Sequence, residues 1–372
     1  MKRYIYEHSH WPQLQWDHSA ITSPLAQVRN RQGLLLGKMQ SLGFPLQKNA
    51  LLETLTLDVV KSSEIEGALL PNNTVRSSIA RKLGLDIAGL VPSDRHVDGV
   101  VEMILDATQN FSSSLTKERL CGWQASLFPT GFSGIHKIRT GTWRNDDSGP
   151  MRVVSGRMGR EIIHFEAPAA SAIEKEMHQF LRWANQEQMT DGVLIAAIAH
   201  LWFITIHPFE DGNGRVARAI TDMFLARSDQ SAQRFYSMSA AIRKERDAYY
   251  SILEKSQKIQ ASHKALDITA WLLWFLQCLD RALNATGTLL SSVFDIAAFW
   301  ENHLETGINI RQREMLNRLL HGFEGKLTSS KWAKIMKCSQ DTALRDIEEL
   351  LVKKILVKDH AGGRSTSYSL KK

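Results

Sequence analysis

His207-Pro208-Phe209-Glu210-Asp211-Gly212-Asn213-Gly214-Arg215-Val216-Ala217-Arg218 is the stretch that organises the 372-residue sequence. The apolar run before it, Val193 to Ile206, reads as a helix over 191–206. Pro208 ends that helix, because the residue before a proline is driven out of helical geometry. His207 is thereby set at the mouth of a loop instead of on a helix face. Gly212, Asn213 and Gly214 take backbone angles closed to bulkier residues, so successive N–H groups can converge on one anion. The pattern turns helical again over 213–228, and the positive end of that helix adds to the nest. Arg215 and Arg218 stand three apart on its first turn, where both can clamp phosphate oxygens. Asp211, just before the glycines, is placed to hold Mg²⁺ against a polyphosphate. A base, a metal ligand, an oxyanion nest and two cationic clamps are the parts of a phosphoryl or nucleotidyl transfer.

Outward from this loop, helical periodicity dominates, and the fold class is mainly α. Helices are expected over 24–43, with Gly43 and Pro45 as the stop, and over 50–66, with Gly67 as the cap and Pro71 beyond it. Others follow at 94–108, 115–128, 170–187, 240–257 and 265–284. Between Gly131 and Phe165 the pattern changes, and MRVVSGRMGREIIHF (151–165) reads as two short strands around a glycine-containing turn. There is no internal repeat and no low-complexity linker.

Composition excludes several classes. Apolar residues make up 43% and charged residues 23% of the chain, a globular balance and not that of a disordered one. Cys121, Cys278 and Cys338 are odd in number and widely spaced, which argues against a disulfide framework or a cysteine zinc site and favours a reducing, cytoplasmic setting. MKRYIYEHSHWPQLQW carries no apolar signal region. The longest apolar run is interrupted by His200 and is shorter than the ~20 residues a spanning helix needs, so no membrane partner is expected. Residues 311–372 hold 14 basic against 7 acidic side chains, so the whole net charge of +7 sits there.

The segment 207–218 resembles, without departure, the Fic (Fido) signature HPF-x-D/E-GNGR-x-x-R. The resemblance implies a protein adenylyltransferase that moves AMP from ATP to a Ser, Thr or Tyr hydroxyl of a target protein, itself included. It makes His207 the general base and Asp211 the residue that positions Mg²⁺ across the α- and β-phosphates. It assigns Gly212, Gly214 and Arg215 to phosphate oxygens, Asn213 to the α-phosphate region and Arg218 to the γ-phosphate. It implies a β-hairpin flap at 151–165 that docks a target segment, and it places Tyr249 and Tyr250 near adenine. The domains expected on this reading are an N-terminal helical segment (1–110), a catalytic core (111–260), a helical connector (261–310) and a C-terminal domain (311–372).

Ser62-Ser-Glu-Ile-Glu66-Gly67 matches the family's inhibitory pattern [S/T]-x-x-x-E-[G/N]. Ser62 and Glu66 lie one turn apart and share a face, so Glu66 can reach out from the helix end. Paired with Arg218, it would take the group that the γ-phosphate needs. In the tail, Trp332, Ile335 and Met336 form one helical stripe, Ser339 opens a turn, and Ala343, Leu344, Ile347, Leu350 and Leu351 form a second. With Gly362-Gly363-Arg364 at a hairpin tip, this resembles a winged helix-turn-helix. Lys334, Lys337, Arg345 and Arg364 could dock on DNA phosphates, while the same fold also serves as a protein-docking module. The alternatives to AMP transfer are AMP removal or transfer of another phosphate-containing group by the same loop, and a nucleotide-sensing DNA-binding regulator. Whether two copies form a homodimer stays open.

Overall fold

The computed structural model describes residues 3–85, 90–147, 149–156, 160, 162–187, 189–259, 265–303, 306–320, 323, 325–359 and 366–371. It is mainly helical and divides into two units, Met1–Ser291 and Ser292–Lys372. The first takes in the segments 1–110 and 111–260 together with the start of 261–310.

Along the first unit run β1 (Leu14–Gln15), α1 (His18–Gln40), α2 (Phe44–Ile65), α3 (Asn72–Lys82), α4 (Arg95–Gln109) and α5 (Lys117–Leu127). Two strand pairs follow, β2 (Phe132–Ser133) with β3 (His136–Lys137) and β4 (Arg152–Ser155) with β5 (Ile162–Glu166), both antiparallel. Then come α6 (Ala170–Ala184), α7 (Gly192–Ile206), α8 (Asn213–Asp229), α9 (Met238–Lys244), α10 (Arg246–Ser256), β6 (Leu266–Asp267) and α11 (Thr269–Leu289). β1 pairs in parallel with β6, which fastens the N-terminal residues to the segment before α11.

α7 is the axis of this unit. Every residue from Val193 to Ile206 is buried, as expected of a helix that is apolar on all sides. Each fully buried Val, Leu, Ile or Phe contributes roughly 1.5–3 kcal/mol, enough for the helix to carry two buried polar side chains. Thr205 donates to the Leu201 carbonyl of its own helix, and His200 has its Nδ1 2.8 Å from Thr221 Oγ1 and its Nε2 2.8 Å from the Tyr249 hydroxyl. α8 packs along α7, and α4 closes on α5 through Gly99, where a Cβ would come within 1.9 Å of the Ser126 carbonyl oxygen. Among the described residues no single helix is long and apolar enough to cross a membrane.

Several boundaries differ from the sequence expectation for identifiable reasons. α1 begins at His18 and not at Pro24, because the Asp17 carboxylate accepts from the N–H groups of Ser19 and Ala20 and starts the helix earlier. Gly43 and Pro45 open α2 instead of merely ending α1, since proline is tolerated in a first turn. The expected helix 240–257 is broken at Glu245, where φ is −120° and ψ 37°. α3 has only Val75 and Ile79 as an apolar stripe, with Ala80 buried beside them, too faint a pattern to have been read.

The second unit follows with most of α12 (Ser291–Asn302), then α13 (Ile310–Leu320), α14 (Ser329–Met336), α15 (Gln340–Val352) and an antiparallel pair, β7 (Leu356–Lys358) with β8 (Tyr368–Leu370). Trp332, Ala343, Ile347 and Leu350 form its core with Met315, Leu316 and Leu356. Ser339 caps α15 by accepting from the Thr342 N–H. Leu344, expected in the second stripe, is 40% exposed. Gly362, Gly363 and Arg364 lie outside the described residues.

Burial lowers the His200 pKa from 6.5 to about 3, with Arg218 adding to the effect. Between those values the unfolded chain binds a proton that the folded chain does not, so His200 favours the native state above pH 6.5 and that contribution is lost as pH falls. Urea unfolding of the full chain should therefore steepen its loss of stability between pH 6 and pH 4 by about 1.4 kcal/mol per pH unit relative to His200→Gln. Parallel pH profiles for the two proteins would refute the assignment.

Candidate functional site

His207 caps α7 in the left-handed region, with φ 53° and ψ 58°, an uncommon conformation for a residue with a Cβ. Its N–H donates to the Phe203 carbonyl at 3.0 Å. Its Nδ1 lies 3.2 Å from the Ile204 carbonyl oxygen. A carbonyl only accepts, so Nδ1 carries the proton and Nε2 keeps a lone pair. Burial lowers the imidazole pKa to about 4 and keeps it neutral near pH 7.

The turn behind it is held by a residue that the motif does not contain. Arg144 Nε donates to the His207 carbonyl at 2.9 Å, and the Arg144 N–H donates to the Pro208 carbonyl at 2.8 Å. The Arg144 guanidinium is fully buried, paired with Asp146 at 2.8 Å and bonded to the Pro168 carbonyl. Asn213 Oδ1 accepts from the Phe209 N–H at 2.9 Å and its Nδ2 donates to the Phe209 carbonyl at 2.7 Å, so this side chain braces the loop from within. The Asp211 carboxylate accepts from the Gly212 N–H at 2.5 Å and from the Ser133 hydroxyl at the end of β2.

Gly212 has φ 89°, and a Cβ there would press on Leu127 and Phe128 at 3.0–3.1 Å. Gly214 is the tighter constraint, since a Cβ would lie 2.1 Å from Glu66 Oε1. Glu66 pairs with Arg218, Oε1 to Nη1, at 2.8 Å. Arg218 also donates from Nε to the Ser62 hydroxyl and from Nη2 to the Ser62 carbonyl, both at 2.9 Å. Burial works against the charge of this guanidinium and the Glu66 carboxylate more than offsets it, so its pKa rises. Gly67, with φ 82°, lets the chain turn after α2: its N–H reaches the Glu64 carbonyl and the Ala68 N–H reaches Ser63.

Glu66, His207, Asp211, Gly212, Asn213, Gly214, Tyr249 and Tyr250 line one cavity of about 580 Å³. Arg215 and Arg218 do not line it. The two guanidinium groups, expected to act together, go to different partners. Arg218 is taken by α2, whereas Arg215 lies 4.9 Å over the Phe128 ring with its Nε unpaired among the described residues. Tyr249 is 1% exposed and its hydroxyl is spent on His200, while Tyr250 lies under the Arg246 guanidinium at 4.9 Å. Arg144 and Ser133 escaped the sequence reading because each acts through contacts distant along the chain. Only the mixed loop character of 131–150 marked their region.

Residues 114–225 match the Fic/DOC family, and residues 4–85 match a domain of unknown function (DUF4172). The protein adenylyltransferase Fic of Nematostella vectensis is 31% identical over 121 residues, 32% of this chain and 25% of that protein. Its counterpart from Drosophila erecta is 30% identical over 110 residues, 29% of this chain and 20% of that one. The chain thus spans about a quarter or less of the length of these curated relatives. Among solved structures, a Fic family protein from Desulfovibrio desulfuricans G20 aligns with a TM-score of 0.61 at 19% identity, covering 96% of this chain and 97% of that one. A Fic domain containing signaling protein from Bacteroides thetaiotaomicron VPI-5482 aligns at 0.52 and 20% identity, covering 73% and 97%. The protein carries a Fic/DOC domain. Within that class it is related to protein adenylyltransferase Fic.

Removing the Asn213 amide would leave the Phe209 N–H and carbonyl buried without partners, a cost of about 2–4 kcal/mol. Asn213→Ala should therefore lower the midpoint of urea unfolding accordingly, and an unchanged midpoint would show that the loop stands without this brace.

Proposed function

We propose that the chain is a protein adenylyltransferase, transferring AMP from ATP to a protein hydroxyl, held in check by Glu66. The observation that carries the reading is the neutral His207, its Nε2 lone pair free of the Ile204 bond, on one cavity with the Gly212–Gly214 turn at the start of α8. A base there takes the hydroxyl proton as the oxygen attacks the α-phosphorus, and amides at a helix start receive phosphate oxygens. The fully buried Arg218 is the cation suited to the γ-phosphate, and its pairing with Glu66 supports an inhibited resting state.

Mg²⁺ fits the donor set. Asp211 presents a carboxylate to the cavity in an orientation set by Gly212 and Ser133, and such an ion takes its remaining ligands from phosphate oxygens and water. Among the described residues there is no cluster of three or more His, Cys, Asp or Glu, which suits an ion held mainly by its substrate. The ion would neutralise charge on the departing pyrophosphate. The β4–β5 pair lines the same cavity through Val153, Val154 and Phe165, which supports docking of an extended target segment along it. For the second unit we read a winged helix, whose exposed Lys334, Lys337 and Arg345 are the side chains that duplex DNA phosphates would engage. Salt-dependent retention of the chain on duplex DNA checks that reading, and retention indifferent to salt contradicts it.

With α-labelled ATP and Mg²⁺, Glu66→Gly should incorporate at least roughly tenfold more label than the unaltered chain, the scale of removing ~1.4 kcal/mol of competition for Arg218. His207→Ala in that background should lose about 10²–10⁴-fold. Equal labelling by Glu66→Gly and the unaltered chain would remove the inhibitory role. Undiminished labelling by His207→Ala would remove the base.

A further inference from the structure

A hairpin of two strands is marginal in water and needs a packed face. The buried side chains of β5 and its exit are Phe165 and Ala167, 2% and 5% exposed. Together with Met151 and Val153 they pack against Tyr4 and Tyr6, far earlier in the chain. The Tyr4 ring meets the Phe165 ring edge-on with centroids 5.0 Å apart, and Tyr6 does so at 6.1 Å. The Tyr6 hydroxyl donates to the Glu166 carbonyl, 160 positions along, at 3.0 Å.

The segment that supplies these rings is itself fixed. Ile5–Glu7 forms a single 3₁₀ turn, and the Glu7 carboxylate accepts from the N–H groups of Arg3 and Tyr4 at 2.6 and 2.8 Å. The Ile5 N–H donates to the Gln257 carbonyl at 2.9 Å, and the Ile259 N–H to the Arg3 carbonyl at 3.0 Å, which ties the turn to the chain leaving α10. Val153, Phe165 and Gln257 line the cavity that His207 lines, whereas Tyr4 and Tyr6 are not among its lining residues. The turn therefore stands behind two walls of the cavity. A further tie of the hairpin, His164 Nδ1 at 2.8 Å from Glu254 Oε2, joins side chains about a third exposed, and such pairs contribute little. Tyr4 and Tyr6 belong to the match with the domain of unknown function, residues 4–85, outside the Fic/DOC match.

Resting on the adenylyltransferase reading and its docking hairpin, we propose that Tyr4 and Tyr6 are positioning residues for the protein substrate, holding β4–β5 ready to pair with an extended target segment. They act through the Phe165 ring and the Glu166 backbone. Braced, the hairpin meets a target already in its docking form. Unbraced, only a fraction of molecules holds that form, and the apparent affinity for the target falls by that fraction. Once a target is docked the geometry at His207 is the same, so the loss falls on KM and not on kcat.

The test uses the full chain carrying Glu66→Gly, with α-labelled ATP, Mg²⁺ and dephosphorylated β-casein, an unfolded protein rich in hydroxyl side chains, as acceptor. Tyr6→Phe removes only the bond to Glu166 and should raise the KM for casein about threefold to tenfold, the scale of one hydrogen bond. Tyr4→Ala removes a ring from the cluster and should raise it about tenfold or more. In both, kcat and the dissociation constant for ATP should stay within about twofold of the parent. An unmoved KM, or equal losses in KM, kcat and ATP affinity, would overturn the positioning role. Hydrogen exchange read by mass spectrometry needs no acceptor: amides of 152–155 and 162–166 should exchange about tenfold faster in Tyr4→Ala, while those of α7 and α8 keep their rates. Unchanged exchange in the hairpin would overturn the brace whatever casein does. Casein left unlabelled by the parent would overturn the docking role. A parent that also releases no pyrophosphate from ATP would overturn the adenylyltransferase reading with it.

Discussion

A guanidinium with no access to water must be paired, and Arg218 is 2% exposed in the middle of the first unit. Its partners come from α2, as the Ser62 hydroxyl, the Ser62 carbonyl and the Glu66 carboxylate. That requirement fixes how α2 lies on α8. Asp58, Ser62 and Glu66 recur every four residues along α2, and Gly214, Arg218 and Asp222 do so along α8. Glu66 meets Gly214 and Arg218, Ser62 meets Arg218, and Asp58 lies against Asp222, so the two stripes run in opposite directions. At the far end burial raises the pKa of Asp222, with Asp58 adding to it, while Arg234 pairs with Asp222 at 3.0 Å and Ser237 donates to Asp58 at 2.6 Å. A polar seam of this kind has little tolerance for slippage, because a shift of one turn would strand several buried charges at once.

The same seam accounts for the last turn of α2. A helix end leaves four carbonyls without partners, and an acid there is electrostatically disfavoured. Arg218 takes the Ser62 carbonyl, Arg246 takes the Ile65 carbonyl at 2.7 Å, and Gly67 folds the chain back onto Ser63 and Glu64. The break between α9 and α10 at Glu245 serves this arrangement, since Arg246 opens α10 and places Tyr250 beneath its own guanidinium. Glu66 is stable at an unfavourable helix end because two arginines from other elements neutralise the carbonyls and the carboxylate there.

What could be read from sequence follows from how local each device is. The loop 207–218 was legible because Pro208 and the two glycines act within a few residues of one another, whereas the partners of Arg215 and Arg218 lie far along the chain. The end of α2 was legible because Gly67 and Pro71 punctuate it. The partners of these segments were not, because Arg144 lies 63 positions before the His207 carbonyl it holds, and Ser133 lies 78 before Asp211. The break at Glu245 carries no glycine or proline. The parallel pairing of Leu14 with Leu266 joins distant segments that no periodicity relates.

Strain in the His207 turn explains why distant braces are needed at all. A non-glycine residue held in the left-handed region costs on the order of 1–3 kcal/mol and persists only where its surroundings over-determine it. Here the His207 N–H, the His207 carbonyl and the Pro208 carbonyl are all engaged, the last two by Arg144 alone. Asn213 locks the next residue, Phe209, at both of its backbone groups. Each hydrogen bond nets about 0.5–1.5 kcal/mol, and those to a charged group more, so the set offsets the strain without a large surplus. The imidazole is therefore held in one orientation by Nδ1 and the backbone together. Arg144 is itself fixed by Asp146 and the Pro168 carbonyl, so the geometry of the His207 ring depends on the stretch between β5 and α6 as much as on the loop that bears it.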